Sequence, residues 1–185
     1  MFDSAKHKWK LLFTVSLVGL FLDWYTKYLA ASKLQAGIQV PVIGKIIQWQ
    51  LIFNKGALFG MNPKAWFPSF PTNIFFYVMS VIAMILILFY YKNIETNAKF
   101  SYWGISIIMP GALGNLLDRI IRPGQGVVDF IRVDLGFWPF NPWPIWNLAD
   151  AYITVGVSLI ILDLWLLERG KKRTKADNSQ VNPAP

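Results

Sequence analysis

Residues 72–91 read TNIFFYVMSVIAMILILFYY and contain no charged side chain. An uninterrupted apolar run of about 20 residues is long enough to cross the hydrocarbon core of a bilayer as a helix. The rest of the chain agrees with this interpretation, because 55% of its 185 residues are hydrophobic and only 15% are charged. Its mean hydropathy is +0.40. We therefore predict a membrane protein rather than a soluble domain.

Three further apolar runs predict three more membrane-spanning helices, and they cover residues 9–31, 100–121 and 147–167. The first run follows a basic segment, as the apolar part of a cleaved signal peptide would. Residues 23–27, DWYTK, form a poor cleavage site, so a retained helix is favoured. In the run over residues 100–121, Pro110, Gly111 and Gly114 predict a kink and the close approach of a neighbouring helix.

The segments between the apolar runs predict a small β-strand region and an interfacial loop. Residues 38–42 and 45–53 resemble short strands, and Gly44, Gly56 and the Asn62-Pro63 pair predict turns. Residues 122–146 are rich in Trp and Pro, which is typical of a loop at the membrane surface. The predicted fold class is membrane all-α, with four transmembrane helices, a small periplasmic β-strand region and an interfacial loop. Residues 1–168 are assigned to a single four-helix membrane domain, and residues 169–185 to a basic, disordered cytoplasmic tail.

The positive charges fall at the ends of the predicted helices. The net charge is +8, which alone would be compatible with nucleic-acid binding, but cations that flank apolar runs are topology determinants. Four crossings place both termini on one side. Ten Lys and Arg residues fall on that side and seven on the other, so we predict cytoplasmic termini and no nucleic-acid partner.

Residues that usually carry metal or nucleophilic chemistry are scarce. The chain has no Cys and one His, and that residue, His7, precedes the first apolar run. Disulfides, thiolate metal sites, cysteine nucleophiles and histidine-based catalysis are therefore excluded. We predict no metal and no cofactor, so any catalysis must use carboxylates, hydroxyls, Lys or backbone groups.

Ionisable side chains at membrane depth mark a functional site, because burying them is costly. The predicted topology brings six of them toward the same outer face: Asp23, Lys27, Asp118, Arg119, Asp129 and Asp150. Asp23 and Lys27 are four residues apart and share one helix face, so they can form an ion pair. A structural role for that pair is the favoured interpretation.

Two Gly- and Asn-containing segments flank these charges. In the first, Asn54 and Gly56 either build a turn or hold an extended peptide by strand addition, with the Asn54 amide donating to its carbonyl. In the second, Gly114, Asn115 and Asp118 lie near one helix face. We expect Asn115 to donate to Asp118, with Arg119 or Arg122 as its charge partner.

Asp129 and Asp150 are the candidate catalytic pair. Asp129 has apolar neighbours, so desolvation should raise its pKa. Asn147 and Asp150 have the spacing of a capping box at the start of a helix, which is the structural alternative. Two carboxyl groups that share one proton can act as acid and base in hydrolysis. A proton-coupled transporter and a noncatalytic assembly factor remain alternatives, since buried acids also mark ion pathways.

Five sequence blocks occur together in an order similar to that of the signal peptidase II family. They are Asp23-x-x-x-Lys27, Asn54-x-Gly56-Ala57-x-Phe59-Gly60, Gly114-Asn115-x-x-Asp118-Arg119, Val128-Asp129-Phe130 and Asn147-x-Ala149-Asp150. The resemblance covers residues 8–168 and makes that region a peptidase domain. It implies that Asp129 and Asp150 are the catalytic residues, and that the other polar positions, together with Gly56, Gly114 and Ala149, support the site or bind substrate.

The resemblance also implies a substrate and a location. The expected substrate is a diacylglyceryl-modified bacterial prolipoprotein, cut N-terminal to its lipidated Cys by water activated between two Asp residues. The expected location is the bacterial inner membrane, with the active site toward the periplasm. Expected partners are this lipidated prolipoprotein, membrane lipids and globomycin-type peptide inhibitors, and we expect the enzyme to be a monomer.

Overall fold

Four helices and three short strands make up the described part of the chain. The computed structural model describes residues 5–56, 69, 71–94, 98–138 and 143–181. In chain order the elements are α1 (Ala5–Lys33), β1 (Gln39–Ile43), β2 (Ile47–Asn54), α2 (Thr72–Asn93), α3 (Lys99–Ile121), β3 (Val127–Val133) and α4 (Leu148–Val181). A helix therefore lies at each of the four predicted positions, with ends that differ by a few residues except at the C-terminus of α4; that all four cross a membrane stays a prediction.

Three helices in the described part of the chain are long and apolar enough to span a membrane, and the spans are Ile74–Asn93, Lys99–Ile121 and Leu148–Gly170. Helix α1 has 29 residues, but Asp23 and Lys27 interrupt its apolar sequence. Much of the α2 surface is apolar and faces outward: Ile85 is 60% exposed and Phe89 68%. Such a surface is suited to contact with lipid.

Helix α3 lies at the centre and packs against α1, α2 and α4. It touches α4 at two glycines. A Cβ atom on Gly104 would lie 2.6 Å from the carbonyl oxygen of Gly156, and one on Gly156 would lie 2.5 Å from that of Gly104. A Cβ on Gly111 would likewise lie 2.5 Å from the carbonyl oxygen of Ala149. The predicted close approach of a neighbouring helix is confirmed.

At the other end of the same interface, a side chain of α4 caps α3. Asp163 is buried, and its Oδ2 accepts the backbone N–H of Ser101 at 3.0 Å and the Ser101 hydroxyl at 2.6 Å. The first N–H groups of a helix have no partner within the helix. Asp163 therefore accepts a hydrogen bond from one of these N–H groups. Its carboxylate also interacts favourably with the positive, N-terminal end of the α3 dipole.

The strands form one antiparallel sheet in the order β1-β2-β3. In the β2–β3 pair, Ile52 lies opposite Asp129 and Asn54 lies opposite Val127. A buried cluster of Ala30, Leu51, Val128 and Phe130 attaches the sheet to the end of α1. The sheet therefore holds Asp129 and Asn54 against the helix bundle.

The prediction of an interfacial loop over residues 122–146 was wrong for its first half, since Val127–Val133 forms β3. The first four residues of β3 are all buried, so its sequence VVDFIRV shows little of the apolar–polar alternation that identifies a half-buried strand. Of the Trp- and Pro-rich remainder, Trp138 is 89% exposed, and residues 139–142 lie outside the described residues. The predicted turn at residues 62–63 also lies outside them.

The C-terminal segment also differs from its prediction. Helix α4 continues to Val181, so residues 169–181 are helical rather than disordered. After Gly170 this segment contains Lys, Arg and Ala, which are good helix formers, and no proline before Pro183. Residues 182–185 lie outside the described residues.

Candidate active site

A buried ionic cluster lies where the C-terminal halves of α1 and α3 meet the start of α4. Lys27 Nζ lies 2.8 Å from Asp23 Oδ2 and 3.1 Å from Asp118 Oδ2, and it donates to Asn115 Oδ1 at 2.9 Å. Arg122 forms an ion pair with Asp118. The predicted Asp23–Lys27 pair is confirmed. Two cations and two carboxylates balance in charge, which is what makes their burial tolerable.

Asp23 also connects α1 to α4. Its Oδ1 accepts the backbone N–H of Ala149 at 2.9 Å, in the first turn of α4. Gly114 of α3 lies against the same carboxylate, and a Cβ atom there would overlap Asp23 Oδ2. Gly114 and Ala149 therefore belong to the site through their backbone and their small size.

Asn115 does not donate to Asp118 as expected. Lys27 is only a donor, so the Asn115 Oδ1 atom faces it and the amide nitrogen points away, donating to Asp150 Oδ1 at 2.9 Å. Asp118 instead accepts the backbone N–H of Val128 at 3.1 Å. The expectation failed because spacing shows which residues share a face of α3, but not which neighbour that face contacts.

Asp129 lies in β3 between two amide side chains. Asn54 Nδ2 donates to its Oδ2 at 2.8 Å, and Asn147 Nδ2 donates to its Oδ1 at 2.6 Å. The side chain is almost fully buried, at 2% exposure. Burial, followed by the nearby charge of Asp150, raises the pKa of Asp129 to about 7. The predicted direction of that shift is confirmed.

Asp150 and Asn147 form the capping box that their spacing suggested. The Asp150 N–H donates to Asn147 Oδ1 at 3.0 Å, and the Asn147 N–H donates to Asp150 Oδ2 at 3.1 Å. Asn147 therefore contacts both candidate carboxyl groups, because its amide also donates to Asp129. The structural and functional interpretations of Asp150 are compatible, since the cap holds its carboxyl group beside Asp129.

Asn54 and Gly56 lie at the end of β2. Asn54 donates to Asp129 rather than pointing freely toward a substrate, and its Oδ1 accepts the Gly56 N–H at 2.9 Å. Gly126, which the sequence analysis did not select, has φ of 95° and would overlap the Asn54 carbonyl if it carried a Cβ atom. Gly126 falls in residues 122–146, for which the sequence predicted only an interfacial loop. Residues 57–60 of the Asn54 block lie outside the described residues.

Arg119 lies at the side of the site that faces α2. It donates to the carbonyl oxygens of Asn115 at 3.1 Å and Gly56 at 3.4 Å. Its guanidinium lies over the ring of Phe76, and the Tyr77 hydroxyl donates to its backbone oxygen. Both aromatic residues were missed, because they fall in an uncharged run that predicted only a membrane span.

The arrangement can support acid–base chemistry. One carboxyl group, Asp129, is buried and has a pKa near neutrality, whereas Asp150 is partly exposed at the N-terminus of α4. Two such groups in different environments are suited to opposite proton-transfer roles. The supporting amides fix the orientation of both.

Comparisons with known proteins identify the family and agree with the fold. A family model described as Signal peptidase (SPase) II matches residues 15–166, a range that contains every polar side chain of the site. A lipoprotein signal peptidase of Shouchella clausii (strain KSM-K16) is 30% identical over 165 residues, which are 89% of this chain and 99% of the relative.

Two solved structures of bacterial membrane enzymes, both determined by the in meso method, are similar to this chain. The structure at 2.3 Å resolution has a TM-score of 0.71 and 27% identity, and the match covers 94% of this chain and 93% of that one. The structure at 1.9 Å resolution has a TM-score of 0.70 and 30% identity, covering 83% and 91%.

Proposed function

Because the chain belongs to the signal peptidase II family, we propose that it is an aspartic endopeptidase that processes diacylglyceryl-modified bacterial prolipoproteins. Membership of the family supports a membrane protease that cleaves signal peptides from lipoproteins. The proposal adds the catalytic residues, Asp129 and Asp150, and the position of the cut, N-terminal to the lipidated Cys.

The observation that carries the proposal is the position of Asn147 between the two carboxyl groups. Its side chain donates to Asp129 and its backbone N–H donates to Asp150. In this proposal the reactive form of the pair holds one proton. Asp129 is the better place for it, because burial raises the pKa of that group to about 7, while Asp150 lies partly exposed at the start of α4.

The proposed reaction is direct attack by water. As the water oxygen attacks the scissile carbonyl carbon, Asp150 accepts a proton from that water. The protonated Asp129 donates a hydrogen bond to the carbonyl oxygen. When the C–N bond breaks, a carboxyl proton passes to the leaving nitrogen. The hydroxyl of the water stays on the carbonyl carbon in the new carboxyl group, and the new amino group gains a proton. No covalent enzyme intermediate forms.

The other polar residues support this pair. Asn54 and Asn115 each donate to one catalytic carboxyl group. Asp23, Lys27 and Asp118 join α1, α3, β3 and α4 around them. Arg119, beside the backbone of Gly56, supplies N–H donors to the peptide substrate.

In the proposed orientation α1 also spans the membrane, which gives four transmembrane helices in total. The basic residues before α1 and after residue 168 then lie in the cytoplasm, and the site lies at the periplasmic face of the bacterial inner membrane. Globomycin-type peptides are expected to bind across the catalytic pair, and the enzyme is expected to act as a monomer among membrane lipids.

The test is cleavage of a lipidated precursor peptide by the purified protein in detergent, with and without globomycin. Asp129→Asn and Asp150→Asn should each abolish cleavage. Asp134→Asn is the matched control, because Asp134 lies just after the end of β3 and pairs there with Arg132 at 3.5 Å. Wild-type rates in either active-site variant would disprove the assignment, and coupled ion flux without any cleaved product would favour a transporter.

A further inference from the structure

Helix α2 contacts the candidate active site through two aromatic residues near its start, Phe76 and Tyr77. The ring centre of Phe76 lies 4.9 Å from the guanidinium carbon of Arg119, and the Tyr77 hydroxyl donates to the Arg119 carbonyl oxygen at 2.6 Å. We propose that Phe76 and Tyr77 are positioning residues that hold Arg119 in the orientation that binds the peptide substrate. The inference rests on the proposed function, in which Arg119 contacts that substrate.

The guanidinium group of Arg119 is placed to bind carbonyl oxygens. Among the described residues, the backbone oxygens of Asn115 and Gly56 accept hydrogen bonds from it. A guanidinium has five N–H donors in a rigid plane, so others remain for the carbonyl groups of an extended peptide. Arg119 is also close enough to Asp129 and Asp150 to interact with their charges. A peptide bound by Arg119 would therefore lie beside the catalytic pair.

Phe76 restricts the side chain of Arg119. A cation over an aromatic face is attracted by the ring quadrupole, and the attraction is stronger where water is excluded. Phe76 and Arg119 are both partly buried. The ring packs against the guanidinium group, and the Gly56 carbonyl oxygen accepts a hydrogen bond from Nη2 of the same group at 3.4 Å. An arginine held in this way loses less rotamer entropy when a substrate binds.

Tyr77 restricts the backbone of Arg119. Helix α3 ends at Ile121. The carbonyl oxygen of Arg119 is therefore one of the last four of the helix, which receive no hydrogen bond from an N–H group of the same helix. The Tyr77 hydroxyl donates to it. Contact with α2 therefore fixes both the main chain and the side chain of this residue.

The first experiment compares substrate binding and turnover in variants of α2. Phe76→Leu keeps the apolar bulk but removes the aromatic face, and it should raise KM about 3- to 10-fold with kcat within about twofold of wild type. Tyr77→Phe removes one hydroxyl and should raise KM about 2- to 10-fold. Phe76→Tyr should restore a KM close to wild type. Phe89→Leu, the same substitution at an outward-facing position of α2, is the control and should change neither constant.

The second experiment is a double-mutant cycle with Arg119→Ala. If Phe76 acts through Arg119, Phe76→Leu should lower kcat/KM in the wild-type background and have little further effect in Arg119→Ala. Additive losses would overturn the inference, as would an unchanged KM in both α2 variants with wild-type melting temperatures. Either of these results leaves the Asp129 and Asp150 assignment intact, because that assignment is tested separately by the loss of turnover in their Asn variants.

Discussion

The rate of cleavage should fall as the pH rises above about 7, because the proposed mechanism needs a proton on Asp129. Burial and the charge of Asp150 raise the pKa of this group from 3.8 to about 7. The protonated fraction is then about one half at pH 7, about one tenth at pH 8 and about one hundredth at pH 9. We expect kcat/KM to decrease about tenfold for each pH unit above that point.

The same shift determines how stability depends on pH. Between about pH 4 and about pH 7 the folded protein keeps a proton on Asp129 that the unfolded chain has lost, so stability decreases as pH rises through this window. The two acid dissociation constants differ by about three powers of ten, which corresponds to a free energy on the order of 4 kcal/mol. Above about pH 7 both states are ionised and this contribution stays constant.

The assay is the initial rate of cleavage of a lipidated precursor peptide from about pH 5.5 to about pH 9, with thermal unfolding recorded at each pH. The unfolding data identify any loss of rate that comes from loss of fold. A value of kcat/KM that stays constant from pH 7 to pH 9 in a folded enzyme would refute the assignment of the proton to Asp129.

Two further predictions concern residues that the sequence analysis did not place in the site. Gly126→Ala should displace Asn54 and lower kcat on the order of 10- to 100-fold. Gly124→Ala is the control, because Gly124 has a similar φ but open space around it, and this variant should keep most of its activity. Equal losses of activity in the two variants would contradict the role of the close contact. Asp163→Ala should lower the free energy of unfolding by about 1–3 kcal/mol, because the Ser101 N–H and hydroxyl lose their acceptor, and kcat should stay within about twofold; an unchanged melting temperature would show that water replaces the cap.

The helices and the ion pair on α1 could be predicted because each depends on a local pattern. An apolar run of the right length fixes a helix such as α2, and a spacing of four residues places Asp23 and Lys27 on one face. The capping box of Asn147 and Asp150 is local in the same way. These features require no knowledge of how the elements pack.

The rest of the site depends on packing. Asn115 was predicted to donate to Asp118, three residues further along the same helix, but it donates to Asp150 of another helix. Strand β3 was missed because burial on both faces removes its alternation, and Phe76 because nothing in an apolar span distinguishes a residue facing a cation from one facing lipid. In each case the partner comes from a distant part of the chain, which spacing alone does not reveal.

The glycine contact between α3 and α4 limits how the protein can open for a substrate. At Gly104 and Gly156 the two backbones leave no room for a methyl group, so sliding or tilting one helix against the other would cause backbone clashes at these positions. Asn115 and Asp150, which these helices carry, should therefore keep their separation throughout the catalytic cycle. Any rearrangement that admits the peptide must occur in other parts of the molecule.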